Sequence, residues 1–372
     1  MTRVHLPIAT DTLAMFPPLH ARWVNELLDG APLPRETNAT CDACAMLPEP
    51  GTTPTSGHWF NPATRCCTYL PELANFLVGA ILADTASAYP EGAASVRARI
   101  AAGRAVTPMG LLQHAEFHAS YDGDVDSFGR DESLLCPHYV ARDGGRCGIW
   151  EHRESTCSTW FCKHTRGAVN KGFWNRLHHM LREAERALAR HCAVELGVAP
   201  EALAALLRIR GMNGNAVTLD VVTVQRNDAP GGYARMWGAW LGREEDFYRA
   251  CAALVEPMSW GDVVAASGSE VRALASVVKF GHAFTQDDAL PERVTTSPFE
   301  VVGMSSGHVK VQGYSFLDPL DVPRSLFDVM HHFDGRPVAE CLRDASQAAG
   351  EPVPPGAIRM LIDFRILRAV EV

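Results

Sequence analysis

Apolar and polar residues alternate along most of the chain with a helical period. Residues 68–85, TYLPELANFLVGAILADT, place Leu73, Phe76, Leu77, Ala80 and Ile81 on one face. The clearest pattern covers 173–196, where Trp174, Leu177, Leu181, Ala184 and Leu188 recur three and four apart before Gly197 ends the run. Shorter helical stretches are predicted at 21–28, 91–103, 203–208, 246–253 and 270–280. Another is predicted at 107–121, opened by Thr107-Pro108. Strand-like alternation appears at 216–225 (AVTLDVVTVQ), behind an Asn213-Gly214 turn, and at 299–304 and 308–316 around Ser305-Ser306-Gly307. Three helices then follow at 325–333, 338–349 and 356–364, with Asp334-Gly335 as a stop after the first. By contrast, 41–67 and 122–172 have no sustained period, and prolines and glycines punctuate the first of them.

This pattern divides the chain into residues 1–172, cysteine-rich with an N-terminal extension; 173–297, a helical middle; and 298–372, a module of about 75 residues, enough for a small core. Strands followed by three short helices give that module a winged-helix-like order. The expected fold class is mostly α with irregular cysteine-rich loops, plus a small α+β winged-helix-like C-terminal domain.

Composition narrows the function. Of 372 residues 47% are hydrophobic and 21% charged, the balance of a folded globular chain. The 34 basic and 43 acidic residues give a net charge of −9, so no overall field draws nucleic acid or anionic lipid. No run of 18 apolar residues is present, and Pro7, Thr10, Asp11 and Thr12 interrupt the start of the chain, so neither a membrane span nor a leader is expected. The expected compartment is the cytoplasm, where clustered cysteines stay reduced and more often hold metal.

Eleven cysteines occur, and eight fall within 41–162: Cys41-x2-Cys44-x21-Cys66-Cys67, a 68-residue gap, then Cys136-x10-Cys147-x9-Cys157-x4-Cys162. A C-x-x-C pair bites one metal from a single turn. The adjacent Cys66 and Cys67 point in different directions and so serve different metals or different edges of one cluster. Eight thiolates suit two four-coordinate sites. They equally suit one four-cysteine iron–sulfur cluster, of the 4Fe-4S type, with four further zinc-binding or structural cysteines. Fully ionised they would carry about −8, a charge that is costly to bury without metal. Arg65, Arg146, Arg153, Lys163 and Arg166 flank them and offset part of it. A structural zinc contributes roughly 10–16 kcal/mol, more than such Gly- and Pro-rich loops gain by packing. Cys192, Cys251 and Cys341 each stand alone and read as core.

The segment CPHYVARDGGRCGIWEHRESTCSTWFC resembles the second half of the YkgJ-type zinc- or iron-chelating cysteine-cluster family, through Cys147-Gly148-Ile149-Trp150, Arg153, Cys157 and Cys162. Glu154 stands where that family has proline and Trp150 where it has tyrosine, and the spacing from Cys44 to Cys66 is longer. The resemblance spans roughly 41–165 and implies metal or iron–sulfur binding; the family includes a flagellin lysine N-methylase. The stretch SLFDVMHHFDGRPVAECLRDA resembles PqqD-like peptide-binding modules through Leu326, Phe333, Asp334, Gly335, Val338 and Glu340, which implies peptide recognition.

Other signals are weaker. His114 and His118 sit four apart, but the zinc-protease order is absent. Asp122-Gly123-Asp124-Val125-Asp126 starts like a calcium loop, yet Ser127 and Ser133 occupy the glycine and glutamate positions. His138, His152 and His164 lie among the cysteines as candidate ligands or supporting donors. No phosphate-binding glycine loop and no G-x-S-x-G occurs. The expected function is a metal-dependent protein acting on a peptide or protein substrate, with the eight cysteines as ligands to an iron–sulfur cluster or zinc. The alternative is a non-enzymatic metal-stabilised scaffold or redox-sensing regulator.

Overall fold

The computed structural model describes residues 12–36, 40–41, 44–48, 59–121, 127–209 and 231–370; within them the chain is mostly α with small antiparallel sheets. Helix α1 (Pro18–Leu27) opens on a proline whose fixed φ suits a first helical turn. Strand β1 (Leu73–Ala74) leads into α2 (Asn75–Ala83), and α3 (Pro90–Ala102) stops at the left-handed Gly103. Strands β2 (Val106–Thr107) and β3 (Gly110–Leu111) form a hairpin that also pairs with β1, and α4 (Ala115–Tyr121) follows.

Two expectations are corrected here. Residues 68–85 do not form one helix, because Leu73–Ala74 pairs as a strand and α2 starts only at Asn75. Residues 107–121 are not one helix either. The Thr107 hydroxyl donates to the Gly110 carbonyl and accepts from the Met109 N–H, and Gly110 has φ 133°, so the chain turns back and helix begins only at Ala115.

Next come β4 (Tyr139–Val140), β5 (Arg146–Cys147), α5 (Ser155–Thr159), α6 (Gly167–Glu195), α7 (Pro200–Ile209), α8 (Gly232–Trp237), α9 (Glu244–Val255), α10 (Trp260–Ser267) and α11 (Ser269–Gln286). The strand expected at 216–225 lies outside the described residues. Helix α6, at 29 residues, is about 43 Å long and buries all five apolar positions read from its period. One apolar core runs from Phe16 to Val278 and joins α1, α2, α3, α6, α9 and α11. Helices α2 and α9 touch closely at Gly79, where a β-carbon would lie 1.8 Å from the Tyr248 carbonyl oxygen. Cys192 and Cys251 are buried in this core, as expected for lone cysteines.

The C-terminal part has its own core, from Val294 to Leu367, which includes Cys341. It contains β6 (Arg293–Thr296), β7 (Glu300–Met304), β8 (His308–Gln312), β9 (Leu320–Pro323), α12 (Arg324–Asp328), β10 (Asp334–Pro337), α13 (Val338–Ala349), α14 (Pro355–Asp363) and β11 (Leu367–Ala369). Its sheets run β7-β8-β9 and β10-β6-β11. The helix expected at 325–333 is split: α12 ends at Asp328 and a 3-10 turn, Met330–His332, follows. Asp334-Gly335, read as a helix stop, opens β10.

Arg166 holds this part against the rest. Its guanidinium donates to the Asp363 carboxylate (2.8 Å) and to the carbonyls of Thr285 (2.9 Å) and Asp287 (2.8 Å). Of the basic residues expected to flank the cysteines, this one serves the junction instead.

Candidate metal centre

The two cysteine segments are stitched together by the backbone. The Cys136 N–H donates to the Cys67 carbonyl at 2.8 Å, the Asn61 N–H to the Gly129 carbonyl at 2.8 Å, and the Gly129 N–H to the Thr68 hydroxyl at 2.7 Å. Asn61 organises the turn that carries Cys66 and Cys67, its carbonyl accepting the Thr64 and Arg65 N–H groups. Cys147 ends β5, opposite Tyr139. The intervening turn needs positive φ at Asp143, Gly144 and Gly145, and a β-carbon on Gly145 would meet the Tyr139 hydroxyl at 1.9 Å. Cys157 lies in α5, whose N-terminus is capped by the Glu154 carboxylate through the N–H groups of Thr156 and Cys157. Glu154, the departure from the family's proline, is thus a helix cap.

All eight cysteines are free thiols, and they neighbour one another across the two segments. Cys41 faces Cys66 and accepts the Cys147 N–H; Cys162 faces Cys66 and Cys44. Cys67 faces Cys147 and Cys136, as does Cys157. Cys44 and Cys162 also pack on one apolar cluster with Met46, Phe60 and Leu317. Three sulfurs accept the N–H two residues further on: Cys44 from Met46, Cys136 from His138 and Cys147 from Ile149. Among the described residues, no group of three or more His, Cys, Asp or Glu side chains stands in metal-holding geometry. The thiols are gathered but not closed into a coordination shell.

Burial raises most of these thiols, Cys44 and Cys136 to about 11 and Cys147 to about 12. Cys66 is the exception. Its sulfur accepts from the Cys67 thiol and faces Arg153 and Arg65, which lower it to about 7.

Arg153 is the residue that sequence reasoning undervalued, reading it as one flanking charge among five and as part of the family resemblance but giving it no role of its own. It is only 7% exposed, and its guanidinium lies 3.3 Å from the Trp150 ring centroid. It donates to the carbonyls of Trp150 (3.0 Å), Cys157 (3.3 Å) and Met15 (2.5 Å). The acidic groups that face it are Cys147, Cys157, Cys41 and Cys66, and among the described residues no carboxylate pairs with it. A buried cation that faces thiols and, among the described residues, no carboxylate is balanced when those thiols are ionised.

The three candidate histidines differ. The His138 ring is buried, with Nδ1 2.8 Å from the Ser95 hydroxyl. That hydroxyl donates to the Gly92 carbonyl, so Nδ1 carries the proton and Nε2, which has no partner, is a bare acceptor. His164 Nδ1 lies 3.2 Å from the Tyr314 hydroxyl, which donates to Asp318. His152 pairs with Asp84 at 3.1 Å. The His114–His118 pair does not share a helix face, because His114 precedes α4 and its Nδ1 accepts the Phe117 N–H. The Asp122–Asp126 stretch lies outside the described residues.

Two clefts reach the cysteines. One, about 1000 Å³, is lined by Cys41, Cys147, Trp150, His152 and Asp84. The other, about 850 Å³, is lined by Cys162 and His164 on one side and by Glu300, Gln312, Tyr314 and Phe316 of the C-terminal part on the other.

The chain matches no family model, no curated protein and no solved structure. Among the described residues no helix is long and apolar enough to cross a membrane.

Beside the second cleft, Glu36 is fully buried, accepting from Trp174 Nε1 and the Thr165 N–H, both at 2.8 Å. Burial raises its pKa from 4.5 to about 7, against those hydrogen bonds and with help from Asp318. Between these values the folded state binds the proton and the unfolded state does not. The contribution to stability is therefore full below about pH 4.5 and is lost as pH rises through 7. The stability difference between the wild type and Glu36→Gln should fall by about 3 kcal/mol from about pH 4 to about pH 8. Urea unfolding of both proteins across that range checks it, and a constant difference would refute it.

Proposed function

We propose that this is a metal-dependent protein, iron–sulfur or zinc, that acts on a peptide or protein substrate. Cys41, Cys44, Cys66, Cys67, Cys136, Cys147, Cys157 and Cys162 would be the ligands. The observation that carries the proposal is the gathering of eight free thiols from two chain segments, four of them facing the buried Arg153, with Cys162 opening on a cleft that the C-terminal part walls. The donor set fits: thiolates suit zinc and iron–sulfur clusters, and backbone N–H groups aimed at sulfur support them. As one division of these ligands we take Cys41, Cys44, Cys66 and Cys162 against Cys67, Cys136, Cys147 and Cys157; the Cys66–Cys67 hydrogen bond and the approaches of Cys41 to Cys147 and of Cys66 to Cys136 run between the two sets. When bound, a cluster supplies electron transfer or an electrophilic site, and zinc supplies cross-linking or Lewis acidity.

The C-terminal part, read as a winged-helix-like module, would present the substrate. Among the described residues strand β7 is the edge of its sheet, with Val301, Val302 and Met304 exposed, and Glu300 at its start lines the cleft. An unpaired edge offers backbone groups to an extended chain. The scaffold reading draws on the same turn hydrogen bonds, which serve a purely structural zinc equally well.

Anaerobic purification with metal and acid-labile sulfide analysis separates these readings. Brown protein with iron and sulfide is expected for a cluster, colourless protein with zinc for a zinc centre. Protein that is folded, metal-free and does not take up zinc or iron would overturn the proposal.

A further inference from the structure

Helix α3 lies against the hairpin that carries Cys136 and Cys147, and a metal centre built on cysteines alone gives it no part. Gly92, Ser95 and Arg99 stand three and four apart, so they share one face of this helix. A β-carbon on Gly92 would lie 1.9 Å from the Gly148 carbonyl oxygen, so helix and hairpin meet backbone to backbone, one residue past Cys147. The Ser95 hydroxyl, which donates to the Gly92 carbonyl, accepts from His138 Nδ1 at 2.8 Å and fixes a ring that is 1% exposed. The main chain of His138 is tied on both sides. Its N–H is aimed at the Cys136 sulfur, and its carbonyl accepts the Gly148 N–H at 2.8 Å. Ser95 therefore holds the residue whose N–H supports that sulfur.

One turn further along the same face stands Arg99. Its Nη2 donates to the Leu112 carbonyl at 2.8 Å, and its Nη1 is buried without a hydrogen-bond partner among the described residues. Cys136 comes first among the acidic groups that face this guanidinium, ahead of the Tyr248 phenol, which burial keeps neutral, and the Glu72 carboxylate. Two groups in turn favour the ionised form of Cys136: the His138 N–H first and Arg99 second. A buried guanidinium N–H without an acceptor and a buried sulfur without a counter-charge each cost free energy. They relieve one another when Cys136 is a metal-bound thiolate.

We propose that α3 is a supporting element of the metal centre, with Arg99 and Ser95 as positioning residues that act through Cys136. Arg99 sets positive charge beside the thiolate, and Ser95 fixes the turn whose N–H is aimed at it. This rests on the metal reading above and adds to it residues that tune the affinity of the site.

The test uses the full chain purified with its metal. Arg99→Gln keeps a donor for the Leu112 carbonyl and loses the charge, whereas Arg99→Lys keeps the charge. Affinity is read by competition with a chelator, and melting temperature is measured beside it. Arg99→Gln should bind metal about 10- to 100-fold more weakly, as for loss of a supporting partner, and Arg99→Lys should stay closer to the wild type than to Arg99→Gln. For an iron–sulfur cluster the reduction potential of Arg99→Gln should also fall, because a lost positive charge disfavours the added electron. Ser95→Ala removes one oxygen and frees the His138 ring. It should weaken binding in the same direction, and it decides the matter where an Arg99 variant does not fold. Unchanged affinity in Arg99→Gln would leave Arg99 to Leu112 and Glu72 and overturn its role, and unchanged affinity in Ser95→Ala would strike Ser95. An equal fall in Arg99→Gln and Arg99→Lys would reduce Arg99 to packing and overturn the charge role as well. All three outcomes leave the metal reading standing. Folded wild-type protein that holds no metal and takes up neither zinc nor iron would overturn that reading, and this proposal with it.

Discussion

Replacing Cys44 and Cys162 together with serine is expected to remove one of two metal equivalents and leave the other; replacing Cys44 and Cys136 is expected to disturb both. The expectation tests the division proposed above, which draws on the following neighbour relations. Cys162 faces Cys66 and Cys44, which share its side of the gathering with Cys41. Cys157 faces Cys147 and Cys136, and Cys67 faces the same two. The main chain supports the second set, because the Cys136 N–H binds the Cys67 carbonyl and the β4–β5 pairing places Cys147 opposite Tyr139. The first set shares the apolar cluster of Met46, Phe60 and Leu317 through Cys44 and Cys162. Each structural zinc contributes roughly 10–16 kcal/mol, so losing a set should unfold the loops it holds while the helical core persists. Single Cys147→Ser and Cys157→Ser variants should lose the second equivalent. Metal per chain by elemental analysis, read beside thermal unfolding, decides it. Identical loss from the within-set and cross-set pairs would mean one shared site and sink the partition.

Much of this was legible in the chain, for identifiable reasons. Helix α6 and α13 follow from apolar residues three and four apart, because burial along one face is what both the pattern and the packing express. The eight cysteines stood out by number and pairing. The hairpin at Val106–Leu111 was hidden, since its Thr107-Pro108 looks like a helix cap and two-residue strands carry no alternation. β6, β10 and β11 escaped for another reason: they are short and their partners lie far apart in sequence. Glu36 and Tyr314 gave no signal at all. Their roles come from tertiary neighbours, Trp174 and Thr165 for one and His164 and Asp318 for the other. The clefts are likewise products of how separate segments meet. Arg153 was visible as a residue of the cysteine segment, but its burial was not, and burial is what makes it consequential.

Arg153→Met is expected to destabilise the protein by about 3–5 kcal/mol, the range for breaking a buried charged network. Three carbonyls, of Trp150, Cys157 and Met15, would lose their donor, and the stack on Trp150 would go. That much would hold for a purely structural arginine. Metal affinity separates the roles. If the guanidinium balances thiolates of Cys41, Cys66, Cys147 and Cys157, its removal leaves bound metal with uncompensated negative charge, and affinity should fall by about 10- to 100-fold, as for loss of a supporting partner. Arg153→Lys keeps the charge but not the planar fork that reaches three carbonyls, so it should restore part of the affinity and little of the stability. Competition with a chelator of known affinity reads the first quantity and urea unfolding the second. Equal metal affinity in the wild type and both variants would confine Arg153 to packing, and the charge balance would then have to come from the more peripheral Arg65.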